Sequence, residues 1–132
     1  MDSEKEKKAW REIKYSRKLL NALRGVHVFW LTMKTRDLLI SLVAIFAVII
    51  AGFYFNVSNI EWVALVLCIG FVIVSEVLNT AIEIDIDLTS PEYHPYARDT
   101  KDVAAAAVSI AVFFSIIVAL IIFLPKIYIM IQ

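Results

Sequence analysis

Three long apolar stretches alternate with polar segments along the chain. The first covers residues 38–55, eighteen residues without a charged side chain, which is close to the minimum needed to cross about 30 Å of hydrocarbon as a helix. The second, residues 61–84, is compatible with a helix although it carries carboxylate and amide side chains, and the third, residues 103–124, has no charge. The pattern therefore predicts three membrane-spanning helices at these positions, with a polar loop over residues 85–102.

The amino-terminal 36 residues show a different pattern. Apolar side chains recur there at spacings of three and four among basic residues, which is typical of an amphipathic helix lying in a membrane interface. The apolar positions of this period are Trp10, Ile13, Leu19 or Leu20, Leu23, Val26 and Trp30. We predict an all-α integral membrane protein with one membrane domain over residues 1–132, in which an interfacial helix over residues 1–36 precedes the three spans.

Composition and charge narrow the possible functions. Apolar residues make up 61% of the 132 residues and the net charge is zero, so the chain exceeds a soluble domain in apolar content and lacks the basic excess of a nucleic-acid-binding protein. The single Cys68 excludes an intrachain disulfide and a Cys-based zinc site. Ten of the thirteen basic residues lie between Lys5 and Arg36. The positive-inside rule therefore predicts that the amino terminus and the 85–102 loop are cytoplasmic, the side of a bacterial inner membrane where ATP is available.

A polar stripe runs along the second predicted span. At about 100° per residue, Glu76, Asn79, Glu83 and Asp87 fall within an arc of about 80° on one helix face. Because each carboxylate costs about 2.5 to 3.5 kcal/mol to place in lipid, these side chains are expected to face protein, water, a metal or a ligand. The alternatives are a packing stripe in which Asn79 and Thr80 bond to neighbouring helices, or a small ion or proton pathway.

The segment after the stripe, DLTSPEYHPYARDTKD, is dense in turn formers and polar groups. His94 lies in this segment either as a surface loop residue or as a ligand contact. Asp102 is expected to cap the third span, and Lys101 to stand beside its amino terminus as part of a cradle for a nucleotide phosphate. The three glycines form no phosphate-binding loop, so ATP would have to be held by carboxylate, metal and lysine.

Residues 76–108, EVLNTAIEIDIDLTSPEYHPYARDTKDVAAAAV, resemble the signature region of the prokaryotic diacylglycerol kinase family, whose Gram-positive members include undecaprenol kinases. The resemblance is carried, at the family's spacing, by Glu76, Asn79, Glu83, Asp87, Glu92, Tyr93, His94, Lys101 and Asp102. The IEW at residues 60–62 and the FLPK at residues 123–126 resemble the undecaprenol-preferring branch.

The resemblance implies a homotrimeric lipid kinase of the cell membrane, active in phospholipid metabolism, with composite active sites between adjacent subunits. It implies transfer of the ATP γ-phosphate to a lipid alcohol, undecaprenol in preference to diacylglycerol, with Mg²⁺ as cofactor and no nucleic-acid partner. By position, Glu76 matches the catalytic base, Asn79 a catalytic neighbour that orients the reacting groups, and Glu83 the metal ligand. The ATP-binding positions that it implies are Glu83, Asp87, Glu92, Tyr93, His94, Lys101 and Asp102.

One position departs from the family's pattern. The family carries a second metal-ligating Glu shortly before the first span, where this chain reads VHVFWLTMKTRD. Thr32, Met33 or Thr35 occupies that place, and the nearest carboxylate is Asp37. Three expectations stay open: Asp37 or another acid substitutes, Glu83 holds the metal alone, or the chain is a weak or silent homologue that acts as a lipid-binding or assembly protein.

Overall fold

The computed structural model describes residues 4–8 and 18–132, and no β-strand occurs in these ranges. Four long helices follow one another in this part of the chain: α1 (Lys18–Thr32), α2 (Thr35–Tyr54), α3 (Asn59–Thr89) and α4 (Pro95–Ile131). By length and composition, α2, α3 and α4 are each able to cross a membrane. The predicted all-α class with three candidate membrane-spanning helices is therefore confirmed.

The chain divides into two compact units, Met1–Met33 and Lys34–Gln132. In the first unit, residues 4–8 are helical, and α1 carries exposed apolar side chains from Leu19 to Trp30. α1 ends at Thr32, whose hydroxyl donates to a carbonyl one turn earlier. The predicted amphipathic period also includes Trp10 and Ile13, and these two positions lie outside the described residues.

A capping box starts α3 at Asn59, two residues before the predicted span. The Ser58 hydroxyl accepts a hydrogen bond from the Glu61 N–H, and the Glu61 carboxylate accepts one from the Ser58 N–H at 2.6 Å. This arrangement satisfies two N–H groups that the first turn of a helix otherwise leaves without partners. Glu61 also pairs with Lys126 of α4 at 3.1 Å, so the beginning of α3 is joined to the final part of α4.

The prediction of a loop over residues 85–102 was wrong. α3 continues to Thr89 and α4 begins at Pro95, so residues 90–94 alone separate the two helices. Proline is favoured in the first helical turn, where its missing N–H is not needed, so Pro95 begins α4 and does not extend the loop. The turn-forming residues therefore break the helical structure only over residues 90–94. Lys101 and Asp102 consequently lie inside α4, almost two turns from its start, and neither stands at the amino terminus as expected. α4 also continues through Pro125, beyond the predicted end of the third span.

α3 packs chiefly against α4, while α2 has a smaller contact with α3. Val57, Leu65 and Ile122 form the buried apolar cluster at the junction of the three helices. At the same junction Gly52 of α2 lies against the indole of Trp62, and the Phe53 and Trp62 rings are 5.1 Å apart. Most other apolar side chains of these helices are exposed on the single chain, as expected for surfaces that face lipid or a further subunit.

We expect Gly52→Ala to destabilise the protein by about 1 to 3 kcal/mol, the usual cost of forcing an extra methyl group into a packed contact. A Cβ at residue 52 overlaps the Trp62 ring, whereas a Cβ at Gly70, in the middle of α3, meets nothing within 4 Å. Gly70→Ala is therefore the matched control, and it should be neutral or slightly stabilising. Thermal unfolding of the detergent-solubilised variants measures both effects, and equal losses in the two variants would contradict the contact.

Candidate functional site

The predicted polar stripe is present on α3, which runs unbroken through all of its positions. Glu76, Asn79 and Glu83 are half-buried, and Asp87 is exposed. The Asn79 Nδ2 donates to Glu83 Oε1 at 3.4 Å, and the Asn79 Oδ1 is buried without a hydrogen-bond partner. The amide therefore orients one carboxylate of the stripe and keeps an acceptor oxygen available to a ligand.

A carboxylate of α2, that of Asp37, also interacts electrostatically with the stripe. The charges of Asp37 and Glu83 both act on Glu76, and Asp37 lies in the first turn of α2. The half-buried Asp37 is thus associated with the stripe, whereas Thr32, Met33 and Thr35, where the resemblance leads one to expect an acid, carry no carboxylate.

Two ion pairs mark the part of α4 that faces the end of the stripe. Lys101 pairs with Asp87 across the two helices, and this contact brings a cation to the last carboxylate of the stripe. Arg98 pairs with Asp102 at 3.6 Å on the surface of α4, where ion pairs contribute little to stability. The structure therefore unites Lys101 with the stripe, while Asp102 makes its contact within α4.

The connection between α3 and α4 carries three further residues of the predicted site. Glu92, Tyr93 and His94 are exposed, and the His94 ring lies 5.7 Å from the Tyr96 ring. In the described ranges, no hydrogen bond or ion pair joins these three side chains to the stripe. In the single chain these three side chains therefore lie beyond the end of the stripe and make no polar contact with it.

A cleft with a volume of about 500 Å³ lies between α3 and α4 beside Asn79. Its other polar lining side chains are Ser75, Tyr96, Asp99 and Thr100, and its apolar ones are Leu78, Ile82, Val103, Ala104 and Ala107. Apart from Asn79, none of these was predicted as a site residue. A helical period over residues 96–107 indicates the face that these residues share, but the prediction of a loop over residues 85–102 leaves the first half of that period out.

Glu83 is the candidate magnesium ligand of this site. In the part of the chain that the structure describes, no three His, Cys, Asp or Glu side chains are arranged to hold a metal by themselves. Magnesium usually binds one or two carboxylates and takes its remaining ligands from phosphates and water. The half-buried, hydrogen-bonded carboxylate of Glu83 fits that donor set.

Fold and site define the class as a helical membrane protein with three candidate membrane-spanning helices and an acidic stripe on one face of α3. The sequence profile of the family described as prokaryotic diacylglycerol kinase matches residues 20–123. The chain therefore belongs to the prokaryotic diacylglycerol kinase family, as the resemblance in residues 76–108 predicted.

Individual relatives agree with this assignment. The chain is 40% identical over 114 residues to an undecaprenol kinase of Bacillus subtilis. The aligned stretch covers 86% of this chain and 90% of that relative. It is 36% identical over 75 residues to a diacylglycerol kinase of Helicobacter pylori, covering 57% of this chain and 58% of the relative. A diacylglycerol kinase of Escherichia coli K12 is 33% identical over 75 residues, covering 57% and 62%. The predicted similarity to the undecaprenol kinase branch is confirmed.

Proposed function

We propose that the protein is a membrane lipid kinase that transfers the γ-phosphate of ATP to a lipid alcohol, undecaprenol in preference to diacylglycerol. The observation that carries the proposal is the stripe on α3, where a half-buried carboxylate, an amide and a second carboxylate lead to the Asp87–Lys101 pair. Phosphoryl transfer requires positioning and neutralisation of charge more than covalent chemistry by the protein. One helix face supplies groups suited to both tasks.

Glu76 acts as the general base in this proposal. Its carboxylate takes the proton of the lipid hydroxyl while the hydroxyl oxygen forms a bond to the γ-phosphorus. The bond from that phosphorus to the β–γ bridging oxygen breaks, its electron pair leaves with ADP, and the proton passes from Glu76 to water. The free acceptor oxygen of Asn79, one turn further along α3, orients the hydroxyl for this attack.

Glu83 would hold Mg²⁺ together with phosphate oxygens of ATP, and the bound ion would neutralise phosphate charge. Asp87 keeps the Lys101 ammonium at the end of the stripe, where it binds a phosphate as a compact charge. Asp37 lies near enough to act on Glu76 electrostatically, and it is the acid that we propose in place of the family's second carboxylate.

The remaining nucleotide contacts are assigned to the exposed groups around the α3–α4 connection. Carboxylates accept hydrogen bonds from the hydroxyl and amino groups of a nucleoside, which suits Glu92 and Asp102. Tyr93 and His94 are exposed beside them, and their rings offer flat surfaces to a base. These four side chains lack contacts with the stripe in the single chain, which supports a site completed by a neighbouring subunit.

We propose a homotrimer in the bacterial cell membrane with a cytoplasmic amino terminus. Exposed apolar side chains on all three spans and the small exposed residues Ala105, Ala106 and Ala107 support close packing of helices from other copies. The basic residues before the first span support the orientation. In this arrangement the stripe's Asp87 end and the α3–α4 connection face the compartment that contains ATP.

The preference for undecaprenol is supported by the comparison over most of the chain with the Bacillus subtilis enzyme, at 40% identity. The matched diacylglycerol kinases agree with the chain over a shorter stretch and at lower identity. The hydroxyl of either alcohol reaches the stripe by moving laterally in the bilayer, because the site lies along a membrane-spanning helix.

The direct test is a radiolabelled ATP assay with purified protein in mixed micelles that contain undecaprenol or diacylglycerol. We expect Mg²⁺-dependent formation of labelled lipid phosphate, with a higher kcat/KM for undecaprenol. Equal values for the two alcohols would contradict the preference, and no product from either would contradict the kinase.

A silent homologue that binds lipid or assembles other proteins is the second candidate. It is favoured by the absence of an acid at Thr32, Met33 and Thr35, and by the lack of a complete metal-ligand set among the described residues. ATP binding without product would identify it. Thr32→Glu, Met33→Glu and Thr35→Glu, made one at a time, then test whether the missing acid is the cause, since restoration should produce turnover in one variant.

A further inference from the structure

The serine and threonine side chains of α3 and α4 differ in how they use their hydroxyl donors. Most donate to the carbonyl four residues earlier in their own helix, at 2.8 to 3.2 Å, and these are Ser75, Thr89, Thr100, Ser109 and Ser115. Thr80 is the exception, because its hydroxyl makes no hydrogen bond with any residue that the structure describes. Only 9% of its surface is exposed. A buried hydroxyl without a partner costs free energy, so Thr80 is expected to bind a group that the single chain does not supply.

Thr80 lies beside the stripe, between its two half-buried carboxylates. It follows Glu76 by four residues and precedes Glu83 by three, which places it about 6 Å and about 4.5 Å from them along the helix axis. It lies about 40° around α3 from Glu76 and about 60° from Glu83. In the proposed reaction Glu76 takes the proton of the lipid hydroxyl and Glu83 holds Mg²⁺ with phosphate oxygens. The γ-phosphoryl group therefore has to lie between these two side chains, at the level of Thr80.

The stripe offers few hydrogen-bond donors at that level. Ionised carboxylates only accept hydrogen bonds, and the Asn79 amide already donates to Glu83. Lys101 pairs with Asp87, which lies about 10.5 Å further along α3 than Thr80. The transferring phosphoryl group spreads negative charge over its three equatorial oxygens, and a donor fixed in place beforehand stabilises such charge. Among the described residues of the stripe's face, the Thr80 hydroxyl is the donor suited to this task.

We propose that Thr80 is a further catalytic residue, whose hydroxyl donates a hydrogen bond to an equatorial oxygen of the γ-phosphoryl group during transfer. The inference rests on the proposed lipid kinase activity. No covalent bond of Thr80 forms or breaks, because the bonds that change are those to phosphorus and the O–H bond of the lipid alcohol. The competing role is a hydrogen bond from Thr80 to a helix of a neighbouring subunit, as in a packing stripe, and the two roles predict opposite effects on stability.

Thr80→Val removes the hydroxyl and keeps the branched shape of the side chain. We expect kcat to fall about a hundredfold, the lower end of what the loss of one such donor costs, with little change in the KM for ATP or for the lipid alcohol. Thr80→Ser keeps the donor and should retain most of the rate. Initial rates at varied ATP and varied lipid alcohol measure these constants. An unchanged kcat in Thr80→Val, or an equal loss in Thr80→Ser, overturns the proposal.

Thr89→Val is the matched control, because it removes a hydroxyl from an exposed position about 140° around the same helix from Glu76. It should keep its full rate. Thermal unfolding in detergent and the elution volume test the competing role. Thr80→Val should unfold at the same or a higher temperature than the unaltered protein, because a methyl group replaces a buried hydroxyl without a partner. A lower melting temperature with a smaller assembly would assign the hydroxyl to a contact between subunits and overturn the proposal.

A protein that forms no product contradicts the proposed kinase, and Thr80 is then tested by binding. Radiolabelled ADP is bound in the presence of Mg²⁺, with and without aluminium fluoride, a mimic of the transferring phosphoryl group. We expect aluminium fluoride to tighten ADP binding to the unaltered protein, Thr80→Ser and Thr89→Val. The gain should be at least about tenfold smaller in Thr80→Val, because transition-state mimics report interactions made in the transition state. Equal gains in all variants, or no gain in the unaltered protein, overturn the proposal.

Discussion

Glu76→Gln should lower the turnover number by at least about a hundredfold, the lower end of what a general base contributes. Glutamine keeps the length and shape of the side chain but is a far weaker proton acceptor. The position is half-buried on α3, so the substitution preserves packing, and we expect normal insertion and an ATP KM near that of the unaltered protein. Initial rates at saturating ATP and lipid alcohol measure the loss, together with the elution volume in detergent.

The control for this prediction is Asp85→Asn, which removes a carboxylate from an exposed position about 180° around α3 from Glu76 and should keep its full rate. A Glu76→Gln protein that phosphorylates lipid alcohol at an unchanged rate would refute the assignment of the base. A loss of similar size in Asp85→Asn would show that negative charge on α3 matters in general, whichever face carries it.

Glu83→Ala should raise the Mg²⁺ concentration for half-maximal rate by at least about tenfold, the scale on which changes near a metal alter its affinity. The carboxylate is the one that Asn79 orients through its amide. We therefore expect Asn79→Leu to raise the requirement less than Glu83→Ala, because the ligand remains but loses its orienting partner. Metal titrations of the initial rate at fixed ATP measure both shifts.

A second measurement separates metal binding from catalysis. Binding of Mn²⁺ in the presence of a non-hydrolysable ATP analogue, followed by the electron paramagnetic resonance signal of the free ion, should weaken in Glu83→Ala and stay unchanged in Asp85→Asn. Identical Mg²⁺ titration curves for Glu83→Ala and the unaltered protein would exclude Glu83 as a ligand.

The sequence predicts the helical part of this fold well, because a long uncharged segment in a membrane has few backbone conformations other than a helix that satisfy its hydrogen bonds. It fails over residues 85–102, where polar residues and two prolines were interpreted as a loop. Pro91 does lie in the short connection, but Pro95 occupies the first turn of α4, a position that proline favours. Composition alone does not distinguish these two uses of proline.

The same error explains which part of the site was missed. The stripe from Glu76 to Asp87 depends on the period of one helix, and it was predicted from spacing alone. The Asp87–Lys101 pair and the cleft lined by Asp99 and Thr100 depend on how α4 packs against α3. The two helices pack against each other because only residues 90–94 connect them. The predicted loop over residues 85–102 gave no indication of this packing.

The two ion pairs between α3 and α4 lie far apart along the helices. Glu61 binds Lys126 and Asp87 binds Lys101, and the two acids are separated by about 39 Å at 1.5 Å per residue. Sliding one helix past the other by a turn, about 5.4 Å, would break both pairs at once. The antiparallel hairpin therefore keeps a single register, and in the proposed reaction the lipid has to bring its hydroxyl to the fixed depth of Glu76.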